Sequence, residues 1–96
     1  MQTDEVLATL RAHFPELRAM GIRGIALFGS MARREAGPDS DVDLLVDFEV
    51  PLKFDAYMDA KFRLEALLRR PVDLVTATGL KPELRPTIER ECIRVP

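Results

Sequence analysis

Polar residues at the ends of short apolar segments constrain the fold of this chain more than any other feature of the sequence. One apolar run ends at Gly29 and Ser30, whereas Asp41 and Asp43 lie at the start of the next run, residues 41–46. A turn at the end of one strand meets carboxylates at the start of the neighbouring strand only if the two strands are antiparallel. We therefore expect the first two strands of the sheet to run in opposite directions.

A third carboxylate, Asp73, lies inside the apolar run at residues 71–75, a pattern typical of an interior strand. A helical pattern separates this run from the preceding strand, so the connection is long enough for a parallel crossover. Parallel pairing of these two strands would bring Asp73 level with Asp43. The sequence therefore predicts an α/β (α+β-like) fold, with a mixed sheet of three or four strands flanked by helices.

The three carboxylates are candidate ligands of a metal ion. Side chains two residues apart on a strand project from the same face, about 6.5 to 7 Å apart, so Asp41 and Asp43 repel each other unless a cation is bound. With Asp73 they match a site for two divalent ions. Structural alternatives are open, because Asp41 could cap the preceding loop and Asp43 could pair with an arginine. Asp73 could pair with Arg69 or Arg70.

The turn at Gly29 and Ser30 is a candidate phosphate site. Its backbone N–H groups and the serine hydroxyl can donate hydrogen bonds to a polyphosphate, whereas the alternative is a helix N-cap without a ligand. The following residues include Arg33 and Arg34, whose side chains are either phosphate contacts or part of a solvated helix surface. We keep Arg33 as a candidate contact to the phosphates.

Hydrophobic periodicity and turn residues predict the remaining elements. A first helix, capped by Thr3 or Asp4, ends at Phe14, and Pro15 opens a second, short helix that ends at Met20. The other predicted elements are strands over residues 24–28, 42–48, 71–75 and 93–95, helices over 30–35, 54–70 and within 82–91, and a turn over 36–39.

Two further predictions concern buried residues. Phe54, Met58 and Phe62 recur every four residues in the longest helical segment, which is typical of a face that packs into the core. Cys92 is the single cysteine, so the chain has no intramolecular disulfide, and we expect this residue to be a buried, small apolar side chain.

Composition limits the classes of protein to which the chain can belong. Its 96 residues suit one small domain, residues 1–96, with 14 basic and 16 acidic residues and a formal charge of −2. This charge balance disfavours binding to a long nucleic acid. No apolar run approaches membrane-spanning length, and the first residues do not form a secretion signal, so the sequence predicts a cytoplasmic protein without membrane contact.

These motifs resemble a known family. The Gly-Ser-Met-Ala-Arg motif at residues 29–33, the Asp-Ser-Asp-Val-Asp motif at 39–43 and the Val-Asp-Leu-Val segment at 72–75 are similar to those of the minimal nucleotidyltransferases, in the polymerase-beta-like superfamily. The resemblance is specific because all three motifs occur in order and at workable spacings. One departure is Arg34, where the family often has glycine.

The resemblance implies roles for the candidate site residues. Gly29 and Ser30 would bind the triphosphate of a nucleotide. Asp41, Asp43 and Asp73 would ligate two Mg²⁺ ions. Asp73 would also be the candidate base for the attacking hydroxyl. The implied reaction moves a nucleoside monophosphate, AMP from ATP, onto a hydroxyl group of a macromolecule.

The resemblance also implies a partner. Minimal nucleotidyltransferases pair with small, all-helical HEPN proteins in toxin–antitoxin modules, where modification of the toxin can neutralise it. Two other functions are open at this point: a binding module that neutralises a toxin by occlusion, and a nucleotide sensor that forms no product. The sequence also leaves open whether the chain forms a homo-oligomer.

Overall fold

The computed structural model describes residues 2–37, 40–49, 53–77 and 79–95. These segments contain five helices and four strands. In chain order they are α1 (Thr3–Ala12), α2 (Phe14–Ala19), β1 (Ile22–Phe28), α3 (Gly29–Ala32), β2 (Val42–Phe48), α4 (Phe54–Leu68), β3 (Val72–Thr76), α5 (Arg85–Glu91) and β4 (Ile93–Val95).

The four strands form one mixed sheet in the order β3-β2-β1-β4. Strand β1 is antiparallel to both β2 and β4, whereas β2 and β3 are parallel and are connected through α4. The mixed sheet, the antiparallel pairing of β1 with β2, the parallel pairing of β2 with β3 and the short last strand are all as the sequence predicts. Strand β1 is longer than predicted, because a bulge between Ile22 and Gly24 lets pairing with β2 continue to Ile22.

One face of the sheet packs on the core and the other does not. Along β2, Val42, Leu44 and Val46 are fully buried, whereas Asp43 and Asp47 alternate with them on the opposite face. The core side is completed by buried residues of the helices, which are Val6, Leu7, Leu10, Leu17, Met31, Ala60, Leu64 and Leu68. We call the opposite side, which carries Asp43 and Asp47, the open face.

The predicted boundaries of the first two helices are wrong by one or two residues. Helix α1 ends at Ala12, and Phe14 begins α2, where Pro15 occupies the first turn and needs no N–H partner. Gln2 is the N-cap of α1 rather than Thr3 or Asp4. The Thr3 hydroxyl is used elsewhere: it is buried and donates a hydrogen bond of 2.7 Å to the carbonyl oxygen of Met31, which joins the start of α1 to α3.

The prediction that the Phe54, Met58 and Phe62 stripe faces the core is wrong. The side chains of Phe54 and Phe62 are 76% and 59% exposed, and Met58 is only partly buried. The same helix has a second apolar stripe, Ala60 and Leu64 among its residues, and this stripe packs on the sheet. Because residues advance by about 100° per position, the two stripes lie on different sides of α4 and cannot both pack on the sheet.

Other differences from the predicted elements are small. Helix α3 is shorter than predicted and α4 ends at Leu68, because Arg69 adopts a left-handed conformation with φ 56°. The predicted turn over residues 36–39 includes Pro38 and Asp39, which lie outside the described residues. Cys92 is partly rather than fully buried. Within the described segments, every helix is too short or too polar to cross a membrane.

Candidate active site

The turn between β1 and α3 depends on a glycine. Gly29 has a φ of +71°, a region that residues with a Cβ rarely adopt, and it begins α3 directly after the extended residue Phe28. A Cβ added to Gly29 would overlap Oδ2 of Asp43 and would lie 2.9 Å from its Cγ. The absence of a side chain at Gly29 therefore lets the turn contact the carboxylate of Asp43.

The strand pairing places Asp73 beside the same carboxylate. Asp43 pairs with Phe28 across the antiparallel strands and with Asp73 across the parallel strands, so the residues occupy one row of the sheet. Asp41 is exposed and lies one residue before β2. The structure therefore brings the glycine-serine turn and two of the three candidate carboxylates together, with Asp41 at the edge of the group.

The electrostatic environment of Asp43 reflects these neighbours. Partial burial raises the pKa of Asp43, and the negative charges of Asp73 and Asp41 raise it further, whereas the charge of Arg33 opposes the shift. The three carboxylates are therefore close enough to influence one another. As the side chains stand, however, no group of three or more His, Cys, Asp or Glu residues within the described segments is arranged to hold a metal ion.

The ion pairs expected as structural alternatives for Asp43 and Asp73 do not occur in the described part of the chain. None of its ion pairs includes Asp41, Asp43 or Asp73. Arg70 donates hydrogen bonds to the carbonyl oxygens of Gly37 and Ser40, at 3.1 and 3.0 Å, and so supports the loop that precedes Asp41. Carboxylates without ion-pair partners on a shared row have the oxygen donors that Mg²⁺ prefers.

Asp73 is held in position by the connection between α4 and β3. The backbone N–H of Val72 donates a 3.0 Å hydrogen bond to the side chain of Glu65, and Val42 donates to the carbonyl oxygen of Pro71 at 2.9 Å. These two bonds anchor the start of β3 to α4 and to the start of β2. Asp73 and Asp43 therefore face each other from strands whose register is fixed beside them.

Arg33 lies near the carboxylates, but its guanidinium group forms ion pairs with other acidic residues. Its Nε is 3.1 Å from Glu35 and its Nη1 is 3.2 Å from Glu91, and the hydrogen bond to Glu35 is the main cause of a raised Arg33 pKa. Neither glutamate is identified by the sequence motifs. Glu91 is 58 residues away in sequence and carries no local signal that would relate it to Arg33.

Comparison with known proteins gives consistent results. The family model of the nucleotidyltransferase domain matches residues 7–95. A protein adenylyltransferase, MntA of Thermococcus cleftensis, is 44% identical over 93 residues, which are 96% of this chain and 94% of that protein. A solved structure assigned as a minimal nucleotidyltransferase superposes with a TM-score of 0.85 at 39% identity, covering 97% of this chain and 95% of the other.

A more distant structure shares the fold. It is the complex of a tri-AMPylated HEPN toxin of Shewanella oneidensis with its MNT antitoxin, with a TM-score of 0.66 and 21% identity. The match covers 93% of this chain and 71% of the other chain. At this identity the likeness concerns the architecture alone.

Proposed function

Because this chain belongs to the nucleotidyltransferase domain family, we propose that it is a magnesium-dependent protein adenylyltransferase that moves AMP from ATP onto a hydroxyl group of a partner protein. The observation that carries the proposal is the contact of Gly29 with Asp43, on the row that Asp43 shares with Asp73. This arrangement joins a turn suited to a triphosphate with carboxylates suited to its cation.

The turn holds the triphosphate in this proposal. The backbone N–H groups of Gly29 and Ser30 and the Ser30 hydroxyl donate to the β- and γ-phosphates. Arg33, whose charge already influences Asp43, adds a positive charge on the same side and exchanges its partners Glu35 and Glu91 for a phosphate oxygen.

The carboxylates act where the adenylyl group is transferred. Asp41, Asp43 and Asp73 would hold the cations, and Mg²⁺ bound there would supply positive charge to stabilise the phosphates during transfer. The acceptor oxygen forms a bond to the α-phosphorus while the bond from the α-phosphorus to the bridging oxygen of the β-phosphate breaks. Pyrophosphate leaves with that electron pair, and Asp73 accepts the proton of the acceptor hydroxyl.

We infer a small, helical HEPN-type protein as the partner. Two similarities support this inference: the adenylyltransferase named MntA at 44% identity, and the shared fold with the antitoxin of the HEPN complex. In this function the chain is the antitoxin of a pair, and it neutralises the toxin by attaching AMP to it.

Titration calorimetry with ATP and Mg²⁺ tests the nucleotide site. We expect Asp43→Asn and Asp73→Asn to weaken the binding of ATP with Mg²⁺ strongly. Asp59→Asn is the control, because it makes the same charge change on the exposed side of α4 and should leave that binding unchanged. Binding that is equally tight in all three variants would overturn the site.

Intact-mass analysis tests the reaction. A HEPN protein encoded beside this chain should gain mass in units of AMP when it is co-expressed with the parent chain, and should gain none with Asp43→Asn. Toxin neutralisation that persists with Asp43→Asn, without any gain in mass, would contradict transfer and favour occlusion.

A further inference from the structure

A cavity of about 480 Å³ lies on the open face of the sheet, outside the group of carboxylates. Its floor is formed by small residues of β1, Gly24 and Ala26, and its sides include Leu45 and Leu80. Cys92, the single cysteine of the chain, also lines it. The volume is typical of sites that enclose a small ligand or a short segment of chain.

The cavity and the glycine-serine turn lie on opposite sides of Asp43. Phe28 pairs with Asp43, and two residues back along β1 the cavity residue Ala26 pairs with Leu45. Each step of two residues spans about 7 Å on a strand. Gly29 lies beyond Phe28 in the other direction. The order along the open face is therefore the turn, the row of carboxylates and the cavity.

This order matters for an in-line displacement. The attacking oxygen and the leaving pyrophosphate occupy opposite sides of the phosphorus, whereas the nucleoside is attached through an oxygen in the plane between them. The proposed function places the pyrophosphate at the turn, so the attacking hydroxyl must approach from the opposite side. The cavity lies on that side, which suits the acceptor rather than the nucleoside.

Charge restricts what the cavity accepts. Its lining includes Arg23, Arg85 and Arg94 against two acidic residues, Asp47 and Glu89. None of the three arginines forms an ion pair within the described residues. The chain carries a net charge of −2, so this local positive excess is unlike its overall composition. An acidic ligand would find complementary charges here.

We propose that this cavity is the acceptor site, and that it binds a polypeptide segment in which the hydroxyl-bearing residue is flanked by acidic side chains. The inference rests on the proposed function, because the position of the cavity identifies an acceptor only if pyrophosphate leaves at Gly29 and Ser30. Arg94 connects the cavity to the transfer site, since it pairs with Ala26, one step of two residues from the carboxylate row.

The thiol of Cys92 provides a binding test that needs no catalysis. The rate of its reaction with N-ethylmaleimide, a neutral reagent, is measured with a Glu-Glu-Tyr-Glu-Glu peptide, with a Lys-Lys-Tyr-Lys-Lys peptide and with ATP and Mg²⁺. We expect the acidic peptide at millimolar concentration to slow the reaction, and the basic peptide and the nucleotide to leave it unchanged. Protection by the nucleotide but not by the acidic peptide would assign the cavity to the nucleoside and overturn the proposal.

Variants of the arginines test the role in transfer. The double substitution Arg85→Gln with Arg94→Gln should abolish the protection of Cys92 and raise the KM for the acidic peptide about 5-fold, as expected for the loss of two exposed charge pairs. The kcat and the KM for ATP should not change. Arg90→Gln is the control, because Arg90 is on the same helix as Arg85 but does not line the cavity.

The two proposals fail in different ways. Protection of Cys92 by the acidic peptide without any transfer of AMP would overturn the proposed function and the acceptor role, and would leave a peptide-binding cavity. Transfer that is indifferent to Arg85 and Arg94, with an unchanged KM for the peptide, would keep the adenylyltransferase and overturn the acceptor site. Thermal unfolding of each variant shows whether a loss of protection reflects a loss of folded protein.

Discussion

Gly29 and Asp43 are in such close contact that a methyl group on Gly29 would overlap the Asp43 carboxylate. We expect Gly29→Ala to lower the free energy of unfolding by about 2 kcal/mol, since it adds a Cβ both in a left-handed conformation and against Asp43. We also expect transfer to fall about 100-fold, because a displacement of about 1 Å at a reacting group has that effect. Urea unfolding and a transfer assay measure the two losses. Gly37→Ala is the control, since an added Cβ there would lie 3.9 Å from Ser40 Oγ.

A double-mutant cycle separates the two causes of this loss. Asp43→Ala removes the two carboxylate atoms nearest to the added Cβ and leaves only the Asp43 Cβ, at 3.2 Å. In that background Gly29→Ala should cost only the conformational strain, about 1 kcal/mol. An equal cost in both backgrounds would show that steric overlap with Asp43 contributes nothing.

Asp43 should limit the stability of the protein without metal. Its burial and the charges of Asp73 and Asp41 disfavour the ionised carboxylate in the folded state and raise its pKa. At neutral pH we therefore expect Asp43→Asn to melt at a higher temperature than the parent in the absence of divalent ions. Adding Mg²⁺ should raise the melting temperature of the parent and leave the variant unchanged. Asp59→Asn should respond to Mg²⁺ as the parent does, and an equal response in Asp43→Asn would count against Asp43 as a ligand.

Arg34 adopts a backbone conformation that glycine reaches more easily than a residue with a side chain. Its φ of 60° is in the left-handed region, immediately after Arg33, the C-cap of α3, and its side chain pairs with Asp4 at 3.0 Å on the surface. Relief of the strain should outweigh the loss of an exposed ion pair, so we expect Arg34→Gly to stabilise the protein by about 0.5 to 1 kcal/mol. Arg34→Ala loses the ion pair without relief and should destabilise it slightly. Chemical denaturation in which both variants lose the same stability would refute this explanation.

The row that contains Asp43 and Asp73 could be predicted from sequence because it depends on local patterns and on strand direction. Each strand is recognisable by itself, and a turn after one strand with carboxylates at the start of the next allows only one relative direction. The parallel partner then follows from the length of the connection. The close contact of Gly29 with Asp43 is a consequence of the same pairing.

The orientation of α4 could not be predicted in this way. Phe62 and Leu64 belong to two apolar stripes with the same spacing, and nothing local shows which stripe faces the sheet. Packing decides the matter: Tyr57, on the inner side, donates a 2.7 Å hydrogen bond to the carbonyl oxygen of Leu74. A contact between residues that are distant in sequence also joins Arg33 to Glu91, and no motif predicts it.

The cavity could not be predicted from the sequence, for a related reason. Its lining comes from β1, from β2 and from the last part of the chain, so Ala26, Leu45 and Arg94 become neighbours only when the sheet forms. Two of its defining residues, Gly24 and Ala26, are small and carry no chemical signal. The strand register, rather than the residue type, shows that Gly24 and Ala26 form the floor of the cavity.

We expect the ion pair between Arg63 and Glu16 to make a pH-dependent contribution to stability. Arg63 Nε lies 2.7 Å from Glu16 Oε1, and this side-chain hydrogen bond, which joins α4 to α2, is the largest cause of a Glu16 pKa below its ordinary value of 4.5. A carboxylate whose pKa is lower in the folded state binds fewer protons there than in the unfolded state. Its contribution is therefore complete above the unfolded pKa and is lost as the pH falls through the folded pKa.

We expect Glu16→Gln to be less stable than the parent at pH 7, and the difference between the two to shrink below about pH 4.5, the ordinary pKa of the residue, until it vanishes. Thermal unfolding from pH 7 down to pH 3 measures this difference. Because the pair is exposed to solvent, added salt should also reduce it. Glu83→Gln is the control: it makes the same charge change on an exposed residue outside the ion pairs of the described segments. The stability of Glu83→Gln should therefore stay close to that of the parent at every pH. A difference between Glu16→Gln and the parent that stays constant down to pH 3 would show that Glu16 acts through packing rather than through its charge.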